Sequence, residues 1–490
     1  MILRYQRVLL IQPNYAGSRY RASSFPIGLG YIAEALKKAS IEYDVVDMGV
    51  HPRFSYLVCK IQEFKPDLIG ISMLSSMFRN HYKLAEKLKG WFPNVTIIAG
   101  GPHISTFRDQ VLTGCSAIDY LATLEGEQTM VELCKGVPMN EVKGLMFVTH
   151  DGIQYTGDRP FISELDSLPF PTYDKFDKYD EVSINLTTSR GCPYACIYCP
   201  VKTTIGQKLR VRSAKNIVDE VEYWYKRGYR KFCFVDDNFT FYRDRVFRFC
   251  EEVDSRGLQI EMNFGNGIRA DKVDRALLER MKSSGLTRVA FGVEAGTDRI
   301  LKNIKKGETL KDITEAIEMA CDIGLDVALF FLIGSPGETE EDVKESFKLA
   351  QKYRISDVRF YNLVPFPGTE LYEWVLKNNY FVRSVEEYCN GGLHWANKPI
   401  FYTPTLSTEQ RKAAFRRGMS MGRKLRSAAL YKSYVSSFRK FGRLAPFVAF
   451  IASRTLVQER LSKIHFVQHL RRFLKSHSLY DSRPCTPARS

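Results

Sequence analysis

Thr188-Ser189-Arg190-Gly191-Cys192-Pro193-Tyr194-Ala195-Cys196-Ile197-Tyr198-Cys199 is the stretch on which the reading of this chain turns. It directly follows Ser183–Thr187, which reads as a strand, and it holds a CxxxCxxC triplet. Three thiolates on one tight loop can bind three irons of a 4Fe–4S cluster, which more often takes four cysteines. The fourth iron is then open to an exogenous ligand. A zinc ion or three unrelated thiols are the competing readings. Zinc usually takes four ligands, and no second CxxC or CxxH accompanies the triplet. None of the eight other cysteines lies within 30 residues of the loop.

Working outward, strand and helix alternate on both sides of the loop. Downstream, strands are predicted at Ser183–Thr187, Lys231–Val235, Glu261–Gly265, Arg288–Gly292, Asp326–Leu332 and Asp357–Leu363. Helices fit between them at Ser213–Arg227, Arg243–Arg256, Asp271–Gly285, Thr297–Leu301, Thr309–Gly324 and Thr339–Lys352. Six βα units predict a partial (β/α)6 barrel over residues 180–380, with its chemistry at the C-terminal strand ends. Upstream, residues 1–136 show the same rhythm with apolar strands at Arg7–Gln12, Leu68–Met73 and Val95–Ala99. That pattern predicts an α/β, Rossmann-like, doubly wound parallel sheet. Its crevice is expected at Pro13–Tyr15, Asp47–Gly49, Ser72–Ser76, Gly100–His103 and Glu125–Gly126. Residues 137–179 read as a linker holding a hairpin, Lys143–Gly157, that turns at Asp151-Gly152. Residues 381–477 read as a basic helical region. Within it Ser407–Ser427 is predicted as a helix whose Ser407 and Gln410 are spaced as a capping box. The last 13 residues, 478–490, read as disordered.

The chain has 490 residues, 44% of them apolar and 26% charged, which excludes a disordered or fibrous protein. Its longest apolar stretches run to about eight residues, as in Ala445–Ala452, whereas a membrane span needs roughly 20. Met1–Gln12 reads as a buried strand, not a signal peptide. The expected location is the cytoplasm, where 11 cysteines do not form a disulfide framework. Residues 401–490 hold 19 basic and 3 acidic side chains, so the net +16 lies entirely in that segment. A cationic tail on a neutral body points to an acidic partner. Aromatic and aliphatic residues run among the cations of Phe438–Leu456, which favours peripheral contact of residues 401–477 with an anionic membrane at its inner face. RNA phosphates are the less favoured partner, and a helical cap packed on the barrel is the plain alternative.

The triplet resembles that of the radical S-adenosylmethionine enzymes, with Tyr198 at the family's aromatic position. The resemblance runs over about Ser183–Leu371 and implies that Cys192, Cys196 and Cys199 hold a 4Fe–4S cluster. In that family the open iron chelates S-adenosylmethionine, and a reducing electron donor triggers its cleavage to a deoxyadenosyl radical. Val235-Asp236-Asp237-Asn238-Phe239 resembles the acidic segment that holds the methionine amino group, so Asp236 and Asp237 are candidates for that role. Arg269 and Glu294 are candidates for the methionine carboxylate or the ribose, against the alternative of a buried ion pair between two loops. Phe331–Thr339 resembles the adenine-side segment without matching its strict spacing, which makes Gly334 and Glu338 candidates there.

The Rossmann-like domain in front of this barrel is similar to that of the cobalamin-binding class of the family. That likeness makes Pro26, Ser72, Ser75, Gly100, Gly101, His103, Glu125 and Gly126 candidate cobalamin contacts. The Asp-x-His-x-x-Gly lower-ligand motif is not matched, because Asp47-Met48-Gly49-Val50-His51 places its histidine two positions late. For His103, a hydrogen bond within its own loop is the better reading than cobalt ligation. The class implies a cobalamin-dependent methylation of an unactivated carbon, here on a lipid-like or other membrane-partitioned small molecule. Radical cyclisation, rearrangement or oxidation without methyl transfer is the alternative. A tRNA methylthiotransferase would need a second cluster, and Cys59, Cys115 and Cys134 are too scattered to hold one. No catalytic residue is named by the sequence.

Overall fold

A computed structural model describes residues 3–14, 25–177, 183–390 and 397–437. The first sheet holds β1 (Arg7–Gln12), β2 (Glu42–Asp47), β3 (Leu68–Ser72), β4 (Thr96–Gly100) and β5 (Tyr120–Ala122), all parallel. The hairpin β6 (Leu145–Thr149) and β7 (Gly152–Tyr155) adds two antiparallel strands at its edge. The order is β2-β1-β3-β4-β5-β6-β7. The chain leaves β1 on one side to form β2 and returns on the other to form β3. That reversal opens a crevice over the strand ends of β1 and β3. Val8 to Ile11 and Leu68 to Ile69 are fully buried because helices cover both faces, which is why these strands are continuous apolar runs.

The second half begins with β8 (Ser183–Leu186), followed by the short antiparallel pair β9 (Ser189–Arg190) and β10 (Arg210–Val211) that frames the cysteine loop. Then come β11 (Lys231–Phe234), β12 (Glu261–Phe264), β13 (Leu286–Glu294), β14 (Asp326–Ile333) and β15 (Asp357–Asn362). These pair in parallel in the order β15-β14-β13-β12-β11-β8, with β8 and β15 as open edges. β8, β11 and β12 alternate half-exposed and buried residues. One face packs on helices and the other faces the concave side, as a single-layered partial barrel requires.

Helix Thr408–Ser437 lies along the β15 edge. Gly418 and Gly422 allow that approach: a Cβ there would sit 2.6 Å from the Phe360 ring and 2.4 Å from the Val358 carbonyl oxygen. The capping box forms, with Ser407 N donating to Gln410 Oε1 at 2.8 Å and Gln410 N to Ser407 Oγ at 3.3 Å. The helix runs ten residues beyond the predicted Ser427. Residues 438–490, with most of the basic tail, lie outside the described residues.

Three local readings differ from expectation. The predicted helix Asp271–Gly285 starts at Arg275, because Asp274 accepts from Leu277 N at 2.8 Å and caps it there. Two short helices, Pro102–Phe107 and Asp109–Gly114, occupy a stretch to which the sequence reading assigned no element. Of the described residues between 381 and 407, only Val385–Cys389 form a helix.

Candidate functional site

The cysteine loop is pinned at both ends. Gly191 has φ +90°, and a Cβ there would lie 2.4 Å from the Lys208 carbonyl oxygen, so only glycine fits. Cys192 N donates to Gly206 O at 3.1 Å, Ile197 N to Ile304 O at 3.1 Å, and Leu371 N to Ile197 O at 2.9 Å. All three thiols are half-buried, and burial raises their pKa values, that of Cys199 to about 12. Metal ligation displaces those protons. Among the described residues no three His, Cys, Asp or Glu side chains converge as they would on one ion. A cubane takes one cysteine per iron, so this donor set fits a 4Fe–4S cluster.

A buried charge network closes the barrel side of the loop. Tyr198 is half-buried, and desolvation together with the Glu294 carboxylate beside it raises its hydroxyl pKa. Glu294 has φ +64° and accepts from Lys306 Nζ at 3.0 Å. Lys306 also lies 3.3 Å from Glu308 Oε2. Arg269 donates to the carbonyls of Lys306 and Gly307 at 2.9 and 3.2 Å and stacks 3.5 Å from the Tyr194 ring centroid. Arg269 and Glu294 are thus joined through Lys306. The sequence reading passed over Lys306 and Glu308. The only signal for them was a lysine and a glutamate flanking a glycine, Lys306-Gly307-Glu308.

The adjacent aspartates after β11 face different ways. Asp236 Oδ1 accepts from Thr188 N at 2.8 Å, Thr188 Oγ1 at 3.1 Å and Ser189 Oγ at 2.6 Å. That oxygen orders the segment before the cysteines. Its Oδ2 is buried without a hydrogen-bond partner. Asp237 lines the central cavity, where desolvation, with Asp236 adding to it, lifts its pKa to about 6. Gly334 and Glu338 lie elsewhere. Glu338 Oε2 accepts from the backbone of Gly334 and Ser335, and the Arg411 guanidinium covers Gly334, donating to its carbonyl at 3.0 Å. A Cβ on Gly334 would meet Arg411 at 2.3 Å. The pair closes a turn against the C-terminal helix, and the Glu338 contacts lie within that turn.

The strand ends of both halves face one cavity of about 550 Å3. Pro26, Ser72, Gly100, Gly101, Glu125 and Gly126 line it from the first half, and Thr187, Ser189, Arg190, Asp237 and Asn266 from the second. Gly101 has φ +104°, and a Cβ there would lie 2.8 Å from the Met73 carbonyl oxygen. Leu10, Gly70 and Ile98 form an apolar floor, with Ser72 and Ser105 among the polar lining residues. An apolar lining edged by glycine backbone suits an apolar macrocycle with polar substituents. Ser75 and His103 do not line this cavity. The imidazole of His103 pairs with Tyr82 Oη at 3.0 Å and Ser75 Oγ at 3.2 Å behind the crevice, and burial lowers its pKa to about 3. His51 pairs with Asp177 at 2.9 Å. No histidine is among the lining residues described.

Glu125 acts as a tie between the halves. It accepts from Arg190 Nη1 at 2.9 Å, Arg210 Nη1 at 2.7 Å and Ile162 N at 2.7 Å. Arg190 also donates to Glu127 at 2.7 Å and lies 4.8 Å from the Tyr31 ring centroid. These arginines were missed as site residues. Cys59, Cys115 and Cys134 sit on or beside three different helices, Cys59 exposed and the other two buried.

Two family models match, the radical S-adenosylmethionine superfamily over residues 186–350 and the B12 binding domain over residues 17–134. An uncharacterized methyltransferase of Pyrococcus horikoshii is 30% identical over 393 residues, 77% of this chain and 84% of the relative. The chain belongs to the cobalamin-binding radical S-adenosylmethionine enzymes. Cytidylyl-2-hydroxyethylphosphonate methyltransferase of Streptomyces wedmorensis, 30% identical, covers 75% of this chain and is itself covered to 81%. The anaerobic magnesium-protoporphyrin IX monomethyl ester cyclase of Cereibacter sphaeroides is 28% identical, with coverages of 75% and 63%. In fold, this radical S-adenosylmethionine enzyme matches the cobalamin-dependent radical enzyme OxsB with TM-score 0.72 at 16% identity, over 97% of this chain and 76% of that one. It matches the methyltransferase TsrM of Kitasatospora setae with TM-score 0.65 at 17% identity, over 84% and 82%. The cofactors of this radical S-adenosylmethionine enzyme are a 4Fe–4S cluster, S-adenosylmethionine and cobalamin.

Proposed function

We propose that this enzyme transfers a methyl group to an unactivated carbon of an apolar small molecule. The observation that carries the reading is the shared cavity, where Gly100 and Gly101 of the cobalamin-binding half share a wall with Asp237 and the Ser189–Arg190 segment beside the cysteine loop. When bound, the cofactors supply a substrate radical and a methyl group to meet it.

The chain's own residues hold and exclude. Cys192, Cys196 and Cys199 hold the cluster. Asp237, at the cavity wall beside that loop, is the carboxylate placed for a cofactor ammonium. Asp236 orders Thr188 and Ser189 beneath it. Arg190 and Arg210 hold the two halves together through Glu125, which fixes the spacing of the two cofactor sites and keeps water from the gap. Gly100, Gly101 and the apolar floor of Leu10, Gly70 and Ile98 would hold the cobalamin, which would supply the methyl group. Leu10, Leu74, Ile98, Ile205 and Val235 make the cavity hospitable to apolar substrate.

The lipid-like substrate is supported by these walls and by the cation excess of the C-terminal segment. We take residues 401–477 as the contact with an anionic membrane surface, and an external reducing protein as the electron donor. No helix of the described residues is long and apolar enough to cross a membrane.

Methyl-labelled S-adenosylmethionine, supplied anaerobically with a reductant and candidate isoprenoid or fatty-acyl substrates, tests the reading. Label in the product is the expected result. Deoxyadenosine formation with an unlabelled product would favour ring closure or rearrangement, a second reading supported by the likeness to the cyclase of Cereibacter sphaeroides.

A further inference from the structure

Lys306 is a lysine with almost no access to water, at 7% exposure, in a segment pinned directly to the cysteine loop. The Ile197 N to Ile304 O hydrogen bond sets residues 304–308 against Cys196. The ammonium sits 3.0 Å from Glu294 Oε1 and 3.3 Å from Glu308 Oε2, and Arg269 approaches the same Glu308 oxygen at 3.7 Å. Two cations and two carboxylates thus form a quartet, and Arg269 Nε also donates to Asp271 Oδ1 at 2.8 Å. Glu308 is fixed separately through its other oxygen, which accepts from Ala270 N at 2.6 Å and Asp271 N at 3.3 Å. Space is reserved for the pair: a Cβ on Gly292 would lie 2.6 Å from Glu294 Oε1 and 3.1 Å from Lys306 Nζ. The charge of Lys306 is also felt at the Cys196 sulfur. No substrate-cavity residue is involved, so the quartet is not part of the cavity lining described.

A cluster held by three thiolates becomes more negative by one charge on reduction. Its potential follows the net charge around it, its hydrogen bonds and its burial. Inside the fold, charges are poorly screened. We propose that Lys306 is a positioning and tuning residue whose buried ammonium, balanced by Glu294 and Glu308, sets the reduction potential of the cluster held by Cys192, Cys196 and Cys199. This rests on the assignment of that cluster.

The balance predicts opposite shifts from opposite substitutions. Lys306→Met removes one positive charge from the cluster's surroundings, which disfavours the reduced cluster and moves its midpoint to a more negative potential. Glu308→Gln keeps the shape and the backbone hydrogen bonds but removes one negative charge, and moves the midpoint to a more positive potential. Lys306→Arg keeps the charge and restores the midpoint toward wild type. The experiment is redox titration of the anaerobically purified, full-length holoenzyme, with the reduced cluster counted by its electron paramagnetic resonance signal and iron and sulfide measured beside it. Should Lys306→Met fail to hold a cluster, the Glu308→Gln shift decides. Midpoints that coincide with wild type, or that move in the same direction for both substitutions, overturn the proposal. A wild-type chain that binds no cluster overturns instead the assignment beneath it.

Discussion

Arg190 shows how much one side chain contributes to this architecture. It stands two residues before the first cluster cysteine, yet its charge partners, Glu125 and Glu127, belong to the other half. Removing it strands Glu127, a carboxylate about nine-tenths buried, and leaves Glu125 held from the second half by Arg210 alone. Arg190→Ala is expected to cost ~3–5 kcal/mol, the usual result of breaking a buried pair by removing one partner. Urea unfolding of wild type and variant measures this, and an unchanged midpoint would show that the halves are held by other contacts. Glu338 gives a pH signature. Burial raises its pKa from 4.5 to about 7, so the fold favours its protonated form. That contribution is fully present below pH 4.5 and is lost as pH rises through about 7. Glu338→Gln removes the loss, so the variant should gain stability relative to wild type as pH rises across that interval. Thermal melts over that range provide the check. The sequence drew attention to Glu338 but could not reveal Arg411, which is far along the chain and covers the Gly334–Glu338 turn only when the C-terminal helix packs.

At the scale of elements, the turns carry the chemistry and the strands carry the turns. Gly191→Ala must relieve a 2.4 Å approach to the Lys208 carbonyl while holding φ near +90°, a conformation that alone costs on the order of 1–3 kcal/mol outside glycine. The displaced loop should hold less iron after reconstitution than wild type. Cys196→Ala, which removes a ligand outright, should abolish cluster loading and S-adenosylmethionine cleavage. Most elements were legible beforehand, because apolar runs and helical spacing report burial locally. Strand β1, for instance, begins and ends at the predicted Arg7 and Gln12. Side-chain direction past a strand end was not legible. Gly101 at φ +104° leads into the helix Pro102–Phe107, whose Pro102 and Ser105 line the cavity while His103 pairs with Tyr82 and Ser75 away from it. Asp236 and Asp237 likewise separate because consecutive residues leave a strand on opposite sides. Only Asp237 of the two lines the cavity.

For the whole molecule, two α/β halves point their C-terminal strand ends at each other and share a cavity. Each half alone is an ordinary ligand-binding scaffold. Together they bring the Ser189–Arg190 segment that leads into the cysteine loop and a glycine-edged apolar floor to one space, joined by Arg190, Arg210 and Glu125. The central claim is that two metal cofactors serve that space. The direct test is to purify the enzyme anaerobically after iron and cobalamin supply and to count iron, sulfide and cobalt per chain. About four iron with one cobalt is the predicted result. About four iron with no cobalt, even after reconstitution, would contradict the two-cofactor site and with it the methyl-transfer reading.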